Sequence, residues 1–580
     1  MKKLFSLLIY FILVVKLVFT QSVYELPPVD TIGAVNGDNI RIRIMSEPGG
    51  LNPILLSDAY GDEICSYLFE SLNSIDPETY EQLPSLAGLP EVSSDGLTYT
   101  YSLNHSALFS DGMPITGEDV IFTMKAIKNT FVNDAALRNY YENVDKAELV
   151  NGDPFIVKIV MKEPYYFAIY LNGDFFILPK HILDPHGLTD KYDWNELSDV
   201  KIAEKNPSIK KFADFLNSEN ISYDPQYIIG SGIYTLHLWD NSDSLVLKRN
   251  DNYWNKNIPA YLNKIIYKVI PDNNDALIAA KSSEIDMMYV NNPTDFFVNF
   301  ENPEKFSLVK GNPFEPGFSY LAWNELNPIF ADKKVRWALS YLVDRRAIID
   351  KVSFGAAVPV QSFIFFKNSK LYNSELTEIQ YNLEKAKSLL EEAGWKDSDG
   401  DGTLDKIIKG KKIDFKFTFL NNTNPVRKEI LREIIESLKK AGIKADVQNI
   451  EWSVFLEKIK NHEFDATYGA WQMSISYVDP YIIWHSSQAI GEGSNYISFI
   501  NQESDKLIEQ YRVELDESKR IELIKQWQKL IYDEQPYTFL WSANSRYIIN
   551  NRFKNVRWYS KSPSYKLNEL WVPKEQQKLK

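Results

Sequence analysis

The chain has 580 residues, of which 44% are hydrophobic and 24% are charged, so it is a globular protein too long for one compact core. Its formal net charge of −14 argues against a nucleic-acid partner, which would need clustered Lys and Arg. The single cysteine, Cys65, cannot form a disulfide within the chain, and we expect it to be a small buried residue in a helix.

The first 22 residues have the pattern of a secretory signal peptide. Two lysines precede an apolar run from Leu4 to Val15, and Lys16 ends that run short of the ~20 apolar residues that a membrane-spanning helix needs. We therefore expect a mature chain that begins near Gln21 to Tyr24, with a retained membrane anchor as the alternative. The sequence has no cysteine near this position that could carry a lipid anchor.

Local patterns in the first half predict an alternation of strands and helices. Asn39–Met45 alternates like a strand, and Asp58 is placed to cap a helix. Thr98–Tyr101 are good strand formers, and Asp111-Gly112 is a turn dipeptide. Thr116 then precedes a helix with acidic residues in its first turn and one apolar stripe, as a capping residue does.

The second half continues the same alternation. The patterns predict strands and helices at Ile265–Asp272 (strand), Val335–Leu342 (helix), Lys412–Leu420 (strand), Arg427–Ala441 (amphipathic helix) and Ala445–Trp452 (strand). Such a mixture predicts an α/β protein.

Two longer stretches resemble motifs of one protein family. Gly96–Ile127 contains FSDGMPITGEDVIFT, and Gly230–Trp254 reads GSGIYTLHLWDNSDSLVLKRNDNYW. Both resemble motifs of the extracellular solute-binding proteins of family 5, the peptide- and nickel-binding proteins of ABC importers. Phe175–Leu183 and Tyr320–Asp350 resemble further motifs of this family in the same order, so the resemblance spans roughly Ile40 to Val572.

The resemblance implies an α/β fold like that of the type II periplasmic binding proteins, with two lobes, a subdomain and a hinge that the chain crosses twice. We place the crossings at Ile265–Asp272 and Gln535–Asn550. The expected domains are a signal peptide (1–22), lobe I (23–270) with an inserted subdomain (about 82–220), lobe II (271–538) and a return to lobe I (539–580).

The resemblance also implies ligand-binding residues. In relatives, the loop that corresponds to Asp58, Ala59 and Tyr60 lies against the bound ligand, although these residues also fit a plain helix start capped by Asp58. Trp471 corresponds to a tryptophan of the ligand pocket. Tyr140 and Tyr141 are further candidates, because they belong to the lobe that usually covers the ligand.

One expected anchor for a peptide is absent. In peptide-binding relatives, an aspartate three residues after the pocket tryptophan holds the free α-amino group. The corresponding residue here is Ser474 or, counted back from Asp479-Pro480, Ser476, and a serine supplies no charge for a buried ammonium. We therefore expect ordinary di- to pentapeptides to bind weakly or not at all unless Asp479 or Asp58 takes this role. A neutral, hydroxyl-rich or amino-blocked ligand would instead stack on Trp471.

The sequence predicts a binding protein and not an enzyme, because it has no GxSxG, HExxH, CxxC, Walker or dinucleotide-binding motif. We expect a monomeric, periplasmic or extracellular substrate-binding protein that captures an oligopeptide or similar small solute for the permease subunits of an ABC importer. The alternatives are an oligosaccharide or other non-peptide ligand, or a sensory or chaperone-like role. No nucleic-acid partner is expected.

The acidic loop at residues 397–405 has aspartates at the alternating spacing of calcium ligands. The twelfth position of such a loop is Ile408, where an EF-hand has a bidentate Glu, so a calcium site would be incomplete and structural. The alternative is a solvated Asp-Gly turn. No other cofactor is expected. The candidate calcium ligands are Asp397, Asp399, Asp401 and Asp405.

Overall fold

The computed structural model describes residues 28–56, 58–197, 199–240, 243–473, 478–489 and 493–578. The expected signal peptide lies outside the described residues. Within them, no helix has both the length and the apolar character that crossing a bilayer requires.

Short strands and helices alternate through the first part of the chain, as the patterns predict. In chain order they are β1 (Asn39–Ile44), α1 (Ala59–Leu68), β2 (Asn73–Ile75), β3 (Gln82–Pro84), β4 (Glu91–Val92), β5 (Thr98–Ser102), α2 (Gly117–Lys128), α3 (Ala135–Tyr140), β6 (Val144–Leu149), β7 (Ile156–Met161), α4 (Ala168–Leu171), α5 (Lys180–Leu183), α6 (Val200–Ala203), α7 (Pro207–Leu216), α8 (Glu219–Tyr223), β8 (Tyr234–Asp240), β9 (Ser244–Arg249) and β10 (Lys264–Val269).

Longer helices follow in the second part. Its elements are α9 (Asn273–Lys281), β11 (Met287–Tyr289), β12 (Leu308–Gly311), β13 (Gly317–Trp323), α10 (Lys333–Tyr341), α11 (Arg345–Ser353), β14 (Ala357–Pro359), α12 (Leu383–Glu392), β15 (Asp405–Ile408), β16 (Lys411–Asp414), β17 (Lys416–Asn422), α13 (Pro425–Lys440), β18 (Lys444–Ile450), α14 (Trp452–Lys460), β19 (Ala466–Gln472), α15 (Tyr481–Trp484), α16 (Gln502–Val513), α17 (Glu517–Glu534), β20 (Tyr537–Phe539), β21 (Trp541–Ala543) and β22 (Tyr547–Asn550).

A seven-stranded sheet with the order β12-β22-β11-β1-β10-β9-β8 forms the centre of lobe I. β1 is parallel to both β10 and β11. The C-terminal end of α1 packs closely on the chain just before β8. A Cβ atom added to Gly230 would lie 2.0 Å from the Leu68 carbonyl oxygen, and one added to Gly232 would lie 2.2 Å from that of Tyr67. Only glycine permits this approach, which gives the second family-like motif a physical role.

Two further sheets complete the architecture. A five-stranded sheet with the order β18-β17-β19-β13-β20 forms the centre of lobe II, and β17 is parallel to β18 and β19. A four-stranded antiparallel sheet, β4-β5-β7-β6, lies within the range predicted for the inserted subdomain. The predicted α/β class and the capping of α2 by Thr116 are both confirmed; the Thr116 amide donates to Asp119 Oδ2 at 2.9 Å.

The chain passes between the two large sheets twice. β11 and β12 still pair in the seven-stranded sheet, so the chain enters the five-stranded sheet after Gly311, later than the predicted boundary at residue 270. It returns between Phe539 and Tyr547, inside the predicted range Gln535–Asn550. The exact domain limits stay a prediction.

Two local predictions need correction. The expected strand Lys412–Leu420 is two strands, because β16 pairs with β15 in a hairpin and β17 pairs separately with β18 and β19. The expected strand Ala445–Trp452 ends at Ile450, because Trp452 begins α14.

The end of the chain is fixed to its first strand by buried charges. Arg552 Nε lies 3.2 Å from Asp38 Oδ2, and Arg552 Nη1 pairs with Asp286. Asp286 also pairs with Arg41, at 3.0 Å from Nε. Arg552, Asp38 and Asp286 are all nearly inaccessible to solvent. Removing one partner would leave another charge buried without compensation, so this network strongly favours one arrangement of the chain ends.

Candidate functional site

A cavity of about 690 Å³ lies where the carboxyl ends of strands from the two large sheets face each other. β1 and β11 are parallel, so Met45 and Tyr289 meet at one edge of the seven-stranded sheet. Across the cavity, Gln472 and Met473 lie at the end of β19. Crevices at the carboxyl ends of strands are the usual ligand sites of α/β proteins. We call this cavity the cleft.

The amino end of α1 forms one wall of the cleft. Asp58 caps this helix, because its carboxylate accepts hydrogen bonds from the amides of Tyr60 (3.0 Å), Gly61 (2.9 Å) and Gly49 (2.8 Å). Ala59 and Tyr60 line the cleft. The helix-cap interpretation of Asp58 is therefore correct, and a direct role for Asp58 in ligand binding stays a prediction.

Carboxylates are concentrated on the lobe I side of the cleft. Glu63 accepts hydrogen bonds from the hydroxyls of Tyr565 (2.9 Å) and Tyr267 (3.0 Å), and burial raises the pKa of Glu63 to about 7. Asp62 is open to solvent, but partial desolvation by the surrounding protein raises the pKa of its carboxyl. These groups make this wall of the cleft attractive to a positively charged ligand group.

Asp174 and Lys561 complete the same wall. The Asp174 side chain is open to solvent in the cleft, but the protein around it desolvates its carboxyl and raises its pKa to about 6; nearby Lys561 opposes this shift, and the charge of Asp62 adds to it. Both Asp174 and Lys561 line the cleft. Arg43 is the other cation of the lining, but its guanidinium donates to the carbonyls of Ile270 (2.8 Å) and Pro271 (3.1 Å).

The lobe II side of the cleft contributes Glu315, Pro316, Gln472 and Met473. Glu315 accepts a hydrogen bond from Gln472 Nε2 at 3.1 Å and another from the Ser545 hydroxyl. Opposite them, at the edge of the lobe I sheet, Tyr289 and Tyr547 meet with ring centroids 5.4 Å apart.

Trp471 is not among the residues that line the cleft. Its ring lies between those of Tyr320 and Tyr496, with centroids 6.4 and 6.3 Å apart and nearly parallel planes. Tyr320 lies across Gly469, where an added Cβ would be 2.3 Å from Tyr320 Cζ. These ring contacts let Trp471 support the adjacent end of β19. Stacking of a ligand on Trp471 stays a prediction.

Asp479 takes part in a contact between the lobes. Arg512 Nε lies 3.0 Å from Asp479 Oδ2, and the Tyr165 hydroxyl, from the subdomain, donates to the same oxygen at 2.7 Å. Next to it, the Tyr166 hydroxyl donates to the Val478 carbonyl. Asp479 does not line the cleft, because Arg512 and Tyr165 hold its carboxylate in this contact.

The remaining candidates lie apart from the cleft or outside the described residues. Ser474 and Ser476 lie outside the described residues. Tyr140 is 46% exposed, whereas Tyr141 is buried and its hydroxyl donates to the Leu171 carbonyl at 3.1 Å. As ligand-binding residues, Tyr140 and Tyr141 stay predictions.

The acidic loop brings three of its four candidate ligands together. Carboxylate oxygens of Asp397, Asp399 and Asp405 all lie within 4.8 Å of one another. Asp401 is not part of this group, and its carboxylate accepts a hydrogen bond from the Thr403 amide at 2.7 Å. Lys412 pairs with Asp399 and lies 3.4 Å from Asp405, so an ammonium already balances part of the charge. Calcium binding at this loop stays a prediction.

Sequence reasoning missed most of the cleft's charged groups. Asp62 and Glu63 follow the predicted helix cap, and their place in the first turns of α1 was the one available signal. Asp174, Glu315 and Lys561 come from distant segments. Spacing along the sequence cannot reveal that such residues meet.

The chain forms two lobes, each built on a mixed sheet, and a ligand-sized cleft lies between the carboxyl ends of their strands. This arrangement defines a type II binding protein. The chain belongs to the bacterial extracellular solute-binding proteins, family 5, whose "Middle" model matches residues 81–492. The family inferred from the sequence motifs is therefore confirmed. The members of this family to which the chain is similar are binding proteins rather than enzymes.

Several characterised proteins are similar over nearly the whole chain. The oligopeptide-binding protein AppA of Bacillus subtilis is 30% identical over 547 residues, which cover 93% of this chain and 92% of AppA. The dipeptide-binding protein of Escherichia coli is 26% identical over 508 residues, which cover 84% of this chain and 86% of that protein. The structure of Bacillus subtilis AppA in complex with a nonapeptide has a TM-score of 0.72 at 29% identity, covering 93% of this chain and 99% of that one.

Proposed function

We propose that this chain is the substrate-binding component of an ABC importer and that it captures a peptide in the cleft. The observation that carries the proposal is the cleft of about 690 Å³, which is lined by strand ends of both lobes in a chain 30% identical to an oligopeptide-binding protein. This volume falls within the ~300–1,000 Å³ of typical ligand sites.

The charges of the cleft support a ligand with a free amino group. A desolvated ammonium needs a carboxylate partner, and none is expected from Ser474 or Ser476. Asp62 and Asp174 line the cleft from lobe I and offer such a partner. The expectation of weak peptide binding assumed that only Asp479 of lobe II or Asp58 could pair with the ammonium. Asp62 and Asp174 of lobe I are two further carboxylates that could do so. They also favour a peptide over a neutral oligosaccharide.

The proposed mechanism is closure of the lobes on the ligand. A ligand that contacts Tyr60 on one side and Gln472 on the other stabilises the closed form relative to the open form, because the open form cannot make both contacts. The hydrogen bond from Tyr165 to Asp479 also stabilises the closed form, and it does so without a ligand. We further propose that the mature chain is a monomer in the periplasm or outside the cell and delivers its ligand to permease subunits.

The test is isothermal titration calorimetry on the mature protein after its ligand has been removed by unfolding and refolding. Peptides from dipeptides to a nonapeptide are compared with malto-oligosaccharides. We expect micromolar or tighter binding of at least one peptide length, and a higher melting temperature with that peptide. Saccharide binding without any peptide binding would refute the proposal. Mass spectrometry of molecules that co-purify with the native protein gives an independent reading.

A further inference from the structure

A second, smaller cavity adjoins the cleft inside lobe I. We propose that it receives the side chain of the ligand's first residue, while Asp62 and Asp174 bind the free amino group of that residue. This inference rests on the proposed function, because it requires a peptide. It assigns a preference for an apolar first residue to the protein.

The small cavity has a volume of about 220 Å³ and mostly apolar walls. It lies between the loop before α1, helices α2 and α3, and the chain that follows Asp174. Tyr141 also lines it, but the Tyr141 hydroxyl is directed to the Leu171 carbonyl. The volume suits one large aliphatic or aromatic side chain. The apolar side chains of its walls include Ile54, Leu56, Ile127, Leu137, Phe175 and Phe176.

Asp62 and Asp174 line both the cleft and the small cavity. They therefore mark the place where the two spaces meet. The first residue of a peptide carries its ammonium and its side chain on the same carbon atom. An ammonium held at this junction would direct an apolar side chain into the small cavity and the rest of the peptide along the cleft.

The electrostatics of the junction fit one additional positive charge. Asp62 and Asp174 repel each other, and nearby Lys561 offsets part of that repulsion. Asp58 adds further negative charge near Asp62, so carboxylates outnumber the Lys561 ammonium at the junction, and the amino group of a ligand would reduce this excess. Among the described residues, no hydrogen-bond donor engages either carboxylate. The other two carboxylates of the cleft differ, because Glu63 accepts from two tyrosines and Glu315 from Gln472 and Ser545.

The test uses otherwise identical nonapeptides that begin with Leu, Phe, Gly or Glu, each with a free or an acetylated amino group. In calorimetry, the wild type should bind peptides that begin with Leu or Phe with an affinity about tenfold or more higher than peptides that begin with Gly or Glu. Acetylation should weaken binding about 30-fold or more, because closure of the lobes on the ligand would desolvate the ammonium together with Asp62 and Asp174, which are exposed without it.

Variants separate the two parts of the subsite. Asp62→Asn and Asp174→Asn should each weaken binding of every free-amino peptide, whereas Asp214→Asn, an exposed aspartate on α7, should not. Leu137→Trp should fill the small cavity and remove the advantage of Leu over Gly, while the Gly peptide still binds. Leu238→Trp, on the exposed face of β8, is its matched control. Melting curves establish that each variant is folded.

The outcomes distinguish this inference from the proposed function. If the wild type binds the nonapeptides but is indifferent to the first residue, to acetylation and to both asparagine variants, the subsite is refuted and peptide capture stands. If the wild type binds no peptide of any length, the proposed function itself is refuted.

Discussion

Tyr165→Phe should loosen the closure of the two lobes. The change removes the hydroxyl that donates to Asp479 Oδ2 at 2.7 Å and leaves the pair of Asp479 with Arg512 in place. The phenylalanine ring can keep the edge-to-face contacts with Tyr166 and Phe167, whose centroids lie 5.8 and 5.6 Å away. The variant therefore tests one hydrogen bond between the lobes.

A hydrogen bond to a charged group stabilises a protein by about 1.5–3 kcal/mol. Because Tyr165 follows β7 in the subdomain and Asp479 precedes α15 in lobe II, we expect this bond only in the closed form. Since about 1.4 kcal/mol corresponds to a factor of ten, its loss should lower the ratio of closed to open molecules at least tenfold. For a ligand that binds only the closed form, the apparent affinity is proportional to the fraction of closed molecules, so a lower closed fraction should weaken binding.

Small-angle X-ray scattering of the ligand-free protein measures this change as a larger radius of gyration, and calorimetry measures the loss of affinity. Tyr234→Phe is the control, because it removes a buried hydroxyl that donates to the Leu262 carbonyl at 3.2 Å within lobe I. That control should lower the melting temperature and leave the radius unchanged. Equal radii and affinities for the two variants would show that the Tyr165 hydroxyl does not contribute to closure.

Three further changes test other parts of the molecule. Gly469→Ala should destabilise the protein by about 1–3 kcal/mol in denaturant titrations, because the tyrosine ring across it must move, whereas Gly88→Ala faces open space and should have little effect. Calcium bound at the acidic loop should raise the melting temperature, and Asp399→Ala with Asp401→Ala should abolish that rise; identical melting curves with and without calcium would identify a plain turn. The pKa of Glu63 is raised from 4.5 to about 7 by burial, so the folded state retains a proton that the unfolded chain has lost. The free energy of unfolding should therefore fall as pH rises between these values, and Glu63→Gln should flatten that slope; parallel pH profiles would contradict this assignment.

The sequence predicted those features that depend on neighbouring residues. Thr116 caps α2 because capping needs only the next turn of the chain. The expectation that Ala59 and Tyr60 face the ligand came from the resemblance to relatives, and both residues line the cleft. The carboxylates of the small cavity were beyond such reasoning. Asp174 and Lys561 approach Asp62 only after the whole of lobe I has formed, and nothing in their local sequence indicates it.

The position of β22 has a consequence for the biogenesis of this protein. β22 lies between β11 and β12, so the seven-stranded sheet lacks an inner strand until residues 547–550 are present. The five-stranded sheet needs no residue beyond Phe539. A chain that leaves the ribosome or the export machinery with its amino end first can therefore complete lobe II while lobe I still exposes unpaired strand edges, which are prone to aggregation. Because Lys561 and Tyr565 also line the cleft, the cleft is completed only when the last residues have emerged. A shortened chain that ends before β22 would be a substrate for proteases and not a weaker binding protein.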